Sequence, residues 1–180
     1  PEVVKKRIPI LLEGTTVKSL KIKLGSVDGI QADKSMFEQV VKSNKNYNVK
    51  IRVDANGGWN IADAKHMMQW LADRGVDYVE QPLKEGEEFN LEELYENRPV
   101  PIYLDETCRF SENISSFAHC VDGVNMKLMK CGGITEALKI IETARKYKLK
   151  TMIGCMSESS VSIAAAAALT GRIDHVDLDS

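Results

Sequence analysis

Apolar and polar residues alternate in several short stretches of the chain, and each stretch places charged residues on its polar side. Ile51 and Val53 share one side of the segment 50–54, and Arg52 and Asp54 share the other. A period of two predicts β-strands with one apolar face. The same phase puts charged residues on the polar side of five further segments: Lys21 with Lys23, Glu80, Asp105, Lys127, and Asp177 with Asp179.

The charged strand positions recur at a regular interval. Successive members of one series lie roughly 22 to 26 residues apart, close to the length of one strand plus one helix: Asp54, Glu80, Asp105 and Lys127. Repeated strand–helix units close most readily into a barrel, in which the carboxyl ends of the strands converge on one mouth. The sequence therefore predicts an α/β fold, a (β/α) barrel with about seven strands and about seven helices, whose mouth carries acids flanked by lysines.

The bulk composition narrows the class of protein. The chain has 180 residues, of which 43% are hydrophobic and 28% charged, as in an ordinary soluble globular protein. A net charge of −2 without a basic block argues against a nucleic-acid partner. No apolar run approaches the ~20 residues of a membrane span, and the start does not resemble a signal peptide. The four cysteines show no CxxC spacing, so we expect reduced thiols and a cytoplasmic location.

Three carboxylates at one mouth point to a metal site. At an effective dielectric constant of about 20, they would repel one another by several kcal/mol per pair. A bound divalent cation removes that penalty, and all-oxygen ligands favour Mg²⁺. We therefore predict that Asp54, Glu80 and Asp105 bind one Mg²⁺ per active site. The alternative is that these acids are solvated loop ends or helix caps.

Two lysines on the same side of the strands suggest acid–base chemistry. Lys23 and Lys127 are predicted near strand ends, on opposite sides of the metal. A metal ion and a second ammonium lower a lysine pKa from about 10.4 towards the range of a useful base. Such a pair can remove a proton next to a carboxylate, giving an enediolate, and return a proton from the opposite face. The predicted outcome is racemisation or epimerisation, unless the lysines only neutralise the acids.

Five segments together resemble the motif series of the enolase superfamily, muconate-lactonizing subgroup. They are KIK at 21–23, VDAN at 53–56, VEQP at 79–82, LDET at 104–107 and MKLMKCGG at 126–133. The resemblance implies a barrel of modified TIM type with an acid/base pair and a set of Mg²⁺ ligands: Lys23 and Lys127, and Asp54, Glu80 and Asp105. It also implies that Lys21 assists near the substrate carboxylate and that Asn56 contacts the metal ligands.

The end of the chain suggests the substrate. The segment Asp177-Leu178-Asp179 resembles the paired aspartates with which dipeptide epimerases hold a free ammonium. The segment 154–160 resembles the part that lines the same pocket, which marks Ser157 and Glu158 as substrate-binding residues. Two carboxylates in phase suit a cationic group and would repel a dianion. We therefore expect a Mg²⁺-dependent dipeptide epimerase of the L-Ala-D/L-Glu type, unless the two aspartates are a solvated chain end.

Alternatives from two classes stay open. On the same site, the enzyme could be a muconate-type cycloisomerase, an o-succinylbenzoate synthase or an N-acylamino acid racemase. Complete barrels have about 250 residues, and family members carry an N-terminal capping domain and a first barrel strand, neither of which is found in this chain. Residues 1–180 are therefore expected to form one partial barrel domain, from roughly the second to the last strand, and an inactive fragment is the second alternative. The substrate would be a small carboxylate, and a homo-oligomer is left open.

Overall fold

Within residues 2–179, seven strands alternate with helices. The strands are β1 (Ser19–Lys23), β2 (Lys50–Asp54), β3 (Val79–Glu80), β4 (Ile102–Leu104), β5 (Gly123–Met126), β6 (Lys150–Gly154) and β7 (His175–Asp177). The helices are α1 (Glu2–Leu12), α2 (Ile30–Asn44), α3 (Ile61–Ala72), α4 (Leu91–Glu96), α5 (Ile114–Phe117), α6 (Leu128–Cys131), α7 (Ile134–Lys146) and α8 (Ser160–Ala167). The computed structural model describes residues 2–179. Pro1 and Ser180, the two ends of the predicted domain, lie outside the described residues.

The strands form one parallel sheet in sequential order, from β1 to β7. Parallel neighbours are joined by helical crossovers, as repeated strand–helix units require. Lys21 of β1 forms an ion pair with Asp177 of β7, so the two outer strands approach each other, although no ladder joins them within residues 2–179. The sheet is thus a nearly closed barrel, and the predicted α/β barrel is confirmed.

The apolar sides of strands and helices meet between the sheet and the surrounding helices. Fully buried members of this core include Val53, Val79, Ile102 and Leu104 from the strands, and Phe37, Met67, Leu71 and Ile140 from the helices. Burial of one such side chain contributes about 1.5–3 kcal/mol. Tyr78, Tyr103 and Met152 form a separate buried cluster on the other side of the sheet. The alternation that builds the core therefore delivers the polar phase of the strands to the barrel interior.

Several predicted boundaries are wrong by a few residues. The alternating pattern predicts a last strand through Asp179, and the apolar run at 150–156 predicts a buried strand before it. In the structure these strands end earlier, at Asp177 and Gly154. Both stop at the same place because the pair Gly154 and Asp177 is the last one of their ladder. The sequence pattern also predicts a helix over 33–43, but α2 begins one turn earlier, directly after a glycine with φ 84°. Within residues 2–179, no helix combines the length and the apolar character that a membrane span requires.

The loop after β1 passes very close to the loop after β2. An ideal Cβ on Gly25 would lie 2.1 Å from the carbonyl oxygen of Ala55, and the backbone of Gly25 has φ +80°. Gly29 has a similar φ of +84°, but nothing lies within 4 Å of its ideal Cβ. We expect Gly25→Ala to lower the free energy of unfolding by at least about 2 kcal/mol more than Gly29→Ala, because only Gly25 adds a backbone clash to the φ strain. Urea unfolding measures the difference, and equal losses would contradict the close approach.

Candidate active site

The three acids singled out by the sequence converge at the carboxyl end of the sheet. Asp54 ends β2 and pairs in register with Glu80 at the end of β3, while Asp105 directly follows β4. One oxygen from each carboxylate lies within 4.8 Å of the others. All three residues are fully buried, with exposed fractions of 0%. The structure therefore brings the three predicted acids into one cluster.

The electrostatics of this acid cluster fit a divalent cation. Burial, and after it the charge of Asp54, raises the pKa of Glu80 from 4.5 to about 7. Asn125 donates a hydrogen bond of 2.6 Å to Glu80 Oε1, which offsets part of the cost of burying that charge. Three buried carboxylate oxygens this close together match the all-oxygen coordination that Mg²⁺ prefers. Asp54, Glu80 and Asp105 could therefore hold one Mg²⁺.

The two predicted base lysines contact different acids of the cluster. Lys23 Nζ lies 2.6 Å from Asp54 Oδ2, and Lys127 Nζ lies 2.6 Å from Asp105 Oδ2. Lys23 ends β1, whereas Lys127 directly follows β5 on the far side of the cluster. The side chain of Lys23 is 59% exposed, and that of Lys127 is 8% exposed. Two ammonium groups therefore reach the acid cluster from opposite sides. The side chain of Lys23 is largely exposed to solvent, and that of Lys127 is buried.

The protonation of Lys127 depends on Asp105. Burial alone would lower the pKa of Lys127, but the charge of Asp105 and its hydrogen bond outweigh burial, so the pKa is raised. Sequence reasoning expected a lowered lysine pKa, on the premise of a bound metal. The protein groups by themselves have the opposite effect, because the carboxylate of Asp105 stabilises the ammonium. The predicted lowering therefore requires a cation that occupies the carboxylate of Asp105.

Lys21 and Asp177 form an ion pair with each other. Lys21 Nζ contacts Asp177 Oδ2 and also lies 3.2 Å from Glu80 Oε2. Burial alone would lower the pKa of Lys21, but Glu80 and Asp177 outweigh burial and raise it. Sequence reasoning assigned Lys21 to a substrate carboxylate and Asp177 to a substrate ammonium. The structure pairs these two substrate-binding candidates across the β1 and β7 edges.

The remaining substrate-binding candidates lie in two segments at the same end of the barrel. Asp179 is exposed beyond the end of β7, and its Oδ1 lies 3.4 Å from the Sγ donor of Cys155. Ser157 is exposed in the loop between β6 and α8. Glu158 in that loop accepts hydrogen bonds from the backbone N–H of Met156, at 2.9 Å, and from the hydroxyl of Ser162. The predicted in-phase pair of aspartates is therefore not formed as a strand pair, since β7 ends at its first member.

Asn56 contacts a predicted metal ligand. Its backbone N–H donates to Asp54 Oδ1 at 2.9 Å, and its side-chain amide donates to Asp54 Oδ2 at 3.2 Å. The left-handed backbone of Asn56, with φ 47°, allows both bonds to come from one residue. These bonds orient the carboxylate of Asp54, which is one of the predicted metal ligands.

Sequence reasoning missed three residues of the site. Lys130 Nζ contacts Asp105 Oδ1 and lies 2.7 Å from the backbone oxygen of Asp105. Gln81 accepts a hydrogen bond of 3.0 Å from the backbone N–H of Asp105, and Asn125 donates to Glu80. Strand phase could have found Asn125, which lies two residues before Lys127. Lys130 lies on α6, a one-turn helix that the sequence pattern did not predict.

A family model described as "Enolase C-terminal domain-like" matches residues 7–178, nearly the whole chain. The chain belongs to this family. The predicted membership of the enolase superfamily is thereby confirmed. The barrel with acids at the carboxyl ends of successive strands is the architecture that the resemblance implied.

Two relatives of this enolase-type chain are named "Hydrophobic dipeptide epimerase". The protein from Flavobacteria bacterium (strain MS024-2A) is 75% identical over 180 residues, which is 100% of this chain and 52% of the relative. The protein from Roseobacter litoralis is 55% identical, with the same shares covered. The chain thus spans about half the length of these curated relatives.

A solved structure resembles this enolase-type chain closely. It is the dipeptide epimerase from Enterococcus faecalis V583, complexed with Mg and the dipeptide L-Leu-L-Tyr. The TM-score is 0.87 at 34% sequence identity, and the match covers 98% of this chain and 50% of that one. The likeness extends over nearly all of the barrel described above.

Proposed function

We propose that this chain supplies the barrel part of a Mg²⁺-dependent dipeptide epimerase, and that residues 1–180 form one partial barrel domain of that enzyme. The reaction inverts the α-carbon of the C-terminal residue by 1,1-proton transfer. The observation that carries the proposal is the approach of Lys23 and Lys127 to opposite sides of one cluster of buried acids, each at 2.6 Å from its own carboxylate. The names of the relatives support the substrate class.

The acid cluster would position the substrate carboxylate. Asp54, Glu80 and Asp105 would hold one Mg²⁺, whose charge would offset the negative charge that develops on that carboxylate. Lys21, whose ammonium lies 3.2 Å from Glu80 Oε2, would add a second positive charge nearby. The substrate would therefore be held at its carboxylate, with its α-carbon facing the two base lysines.

The two lysines would exchange protons with the two faces of the α-carbon. The neutral amine of one lysine takes the α-proton, so that an N–H bond forms, the C–H bond breaks and its electron pair moves towards the carboxylate. The ammonium of the other lysine then donates a proton to the opposite face. Because Lys23 and Lys127 approach from opposite sides, the configuration is inverted, and the two lysines exchange roles in the reverse reaction.

A dipeptide suits the ion pair of Lys21 and Asp177. In the structure these two side chains neutralise each other. A free dipeptide carries a carboxylate and an ammonium, so it can replace both partners: its carboxylate beside Lys21 and its ammonium beside Asp177. A substrate without an ammonium would leave Asp177 next to a second anion, which disfavours binding. Asp179, Ser157 and Glu158 are proposed to line the same pocket.

The rival reactions use the same metal and lysines but different substrates. Muconate, the o-succinylbenzoate precursor and N-acylamino acids all lack the free ammonium that Asp177 would hold. The inert-fragment alternative would bind no substrate at all. The four cysteines are unpaired in the structure, which supports the proposed reducing, cytoplasmic setting. We propose a small-molecule substrate and no nucleic-acid or membrane partner.

Deuterium exchange tests the proposal. We expect the full-length protein with Mg²⁺ in D₂O to introduce deuterium at the α-carbon of the C-terminal residue of L,L-dipeptides, and L,D-dipeptide to accumulate. Proton NMR and chiral chromatography measure the two outcomes. The matched control is the N-acetyl form of the same dipeptide, for which we expect at least about tenfold slower exchange, since the charge-assisted bond to Asp177 is lost. Exchange of N-acylamino acids alone would support the racemase instead, and no exchange of any dipeptide would refute the substrate class.

A further inference from the structure

Asp33 is a buried carboxylate that no ion pair within residues 2–179 includes. It is 2% exposed and lies one turn inside α2. Its two oxygens accept hydrogen bonds of 3.0 Å from the backbone N–H groups of Gly25 and Ser26 and from the indole N–H of Trp59. Burying a carboxylate without a cation is costly, and three charge-assisted bonds offset that cost only while the donors keep their positions. The position of Asp33 therefore ties these donors together.

The donors belong to the two loops that follow proposed active-site residues. Gly25 and Ser26 come directly after Lys23 and its neighbour, and Trp59 lies in the loop after Asp54. The backbones of these loops touch, because an ideal Cβ on Gly58 would lie 2.3 Å from the Cα of Gly25. Asp33 bonds to both loops and is not a member of the acid cluster.

The side chain of Lys23 is less restrained by its surroundings than that of Lys127. The side chain of Lys23 is 59% exposed, so little packing restrains it, and its Nζ contacts Asp54. Lys127 is 8% exposed and leads directly into α6, where its backbone oxygen accepts hydrogen bonds from Lys130 and Cys131 at 2.9 and 3.0 Å. Loosening the loop after β1 would therefore displace Lys23 and leave Lys127 in place.

We infer that Asp33 is a positioning residue for Lys23: its carboxylate clamps the backbone N–H groups of Gly25 and Ser26, and so sets the approach of Lys23 to one face of the α-carbon. This inference rests on the proposed function. Asp33 does not touch substrate or metal, and its effect is confined to one of the two proton transfers. Loss of these hydrogen bonds consequently slows α-proton exchange of one epimer more than that of the other.

The test compares α-deuterium exchange of an L,L-dipeptide and its L,D-epimer in D₂O, with Lys23→Met identifying the epimer whose proton Lys23 takes. In Asp33→Asn we expect exchange of that epimer to fall about tenfold and exchange of the other to change less than threefold, because small misplacements of a base slow proton transfer strongly. The ratio of the two rates is measured within one sample, so unfolded protein cancels. Asp33→Ser, which cannot overfill the site, is the second variant if Asp33→Asn does not fold.

Two controls make the inference falsifiable. Trp59→Phe removes the indole donor and leaves the bonds to Gly25 and Ser26, so the ratio should stay within twofold of that of the wild type. The dissociation constant for Mg²⁺, measured by calorimetry, should change less than threefold in Asp33→Asn. An equal fall for both epimers, or a parallel loss of Mg²⁺ affinity, would overturn the inference while the proposed function stands. A wild-type protein that exchanges neither epimer would overturn both.

Discussion

Replacing Glu80 with Gln should stabilise the metal-free protein and abolish its response to Mg²⁺. Glu80 is fully buried beside Asp54, and these two conditions raise its pKa to about 7. The folded protein therefore loses stability when Glu80 ionises. Gln has nearly the same shape without the charge, and its oxygen can still accept the hydrogen bond from Asn125. In the presence of EDTA at pH 8, we expect Glu80→Gln to raise the free energy of unfolding by about 1–2 kcal/mol, less than the pKa shift alone implies, because the bond from Lys21 is weakened.

The same substitution should remove a pH dependence. Between pH 4.5 and about 7, an unfolded chain has released the proton of Glu80, while the folded protein still holds it. The stability contributed by this group is therefore complete below pH 4.5 and is lost as the pH rises to about 7. Urea unfolding in EDTA at several pH values should show this loss in the wild type and not in Glu80→Gln.

Mg²⁺ should stabilise the wild type and have almost no effect on Glu80→Gln. At a concentration of 100 times the dissociation constant, a bound ion stabilises the folded state by about 2.7 kcal/mol. We expect that gain in the wild type and almost none in Glu80→Gln, whose affinity should fall at least about 100-fold for want of one direct ligand. Glu142→Gln, an exposed glutamate of α7, is the matched control and should change neither property. A Glu80→Gln protein that still gains stability from Mg²⁺ would show that the cation binds elsewhere.

The acid cluster was predictable because it depends on local sequence. Strand phase is a period of two over four or five residues, and the barrel topology then brings together the carboxyl ends of successive strands. Asp54, Glu80 and Asp105 need no long-range information beyond that. Asn125 has the same strand phase as these acids. Its contact with Glu80 was not predicted, because only charged residues were considered at these positions.

Contacts that depend on closure or on loops could not be predicted in this way. The pairing of Lys21 with Asp177 arises where the first and last strands of the sheet approach each other, and no local pattern encodes that distance. Lys130 reaches Asp105 from α6, a single helical turn that is followed by Gly132 with φ 83°. Asp33 was predicted as the first residue of a helix, where an acid is common, but its partners come from two separate loops.

The lysines around the acid cluster share one electrostatic role. The acids supply the negative charge that a cation needs, and Lys21, Lys23, Lys127 and Lys130 each contact one or more of them. Without a bound cation, the lysines stabilise the cluster and the cluster keeps Lys127 protonated. Occupation of the carboxylates by Mg²⁺ would release the ammonium groups from that role. In the proposed mechanism, metal binding and the availability of a base would thus be coupled through Asp105.

Replacing Lys127 with Met should stop α-deuterium exchange of one epimer and leave the exchange of the other measurable. Loss of a positioned base slows proton transfer by about 10²–10⁴-fold, and Lys23 still serves the opposite face. Epimerisation should fall by the same factor for both epimers, since inversion needs both lysines. Lys23→Met should give the mirror-image result. Exchange in D₂O followed by proton NMR, with each epimer supplied separately, measures all four rates.

The two variants should also differ in stability, which separates the chemical role from the structural one. Lys127 is buried against Asp105, so its removal leaves that carboxylate with Lys130 as its remaining cation and should cost about 1–3 kcal/mol in EDTA. Lys23 is largely exposed, and its removal should cost less than about 1 kcal/mol. If Lys23→Met nevertheless abolishes exchange of one epimer completely, its role is chemical. If each variant slows the exchange of both epimers equally, the two lysines do not serve opposite faces, and the two-base mechanism is wrong.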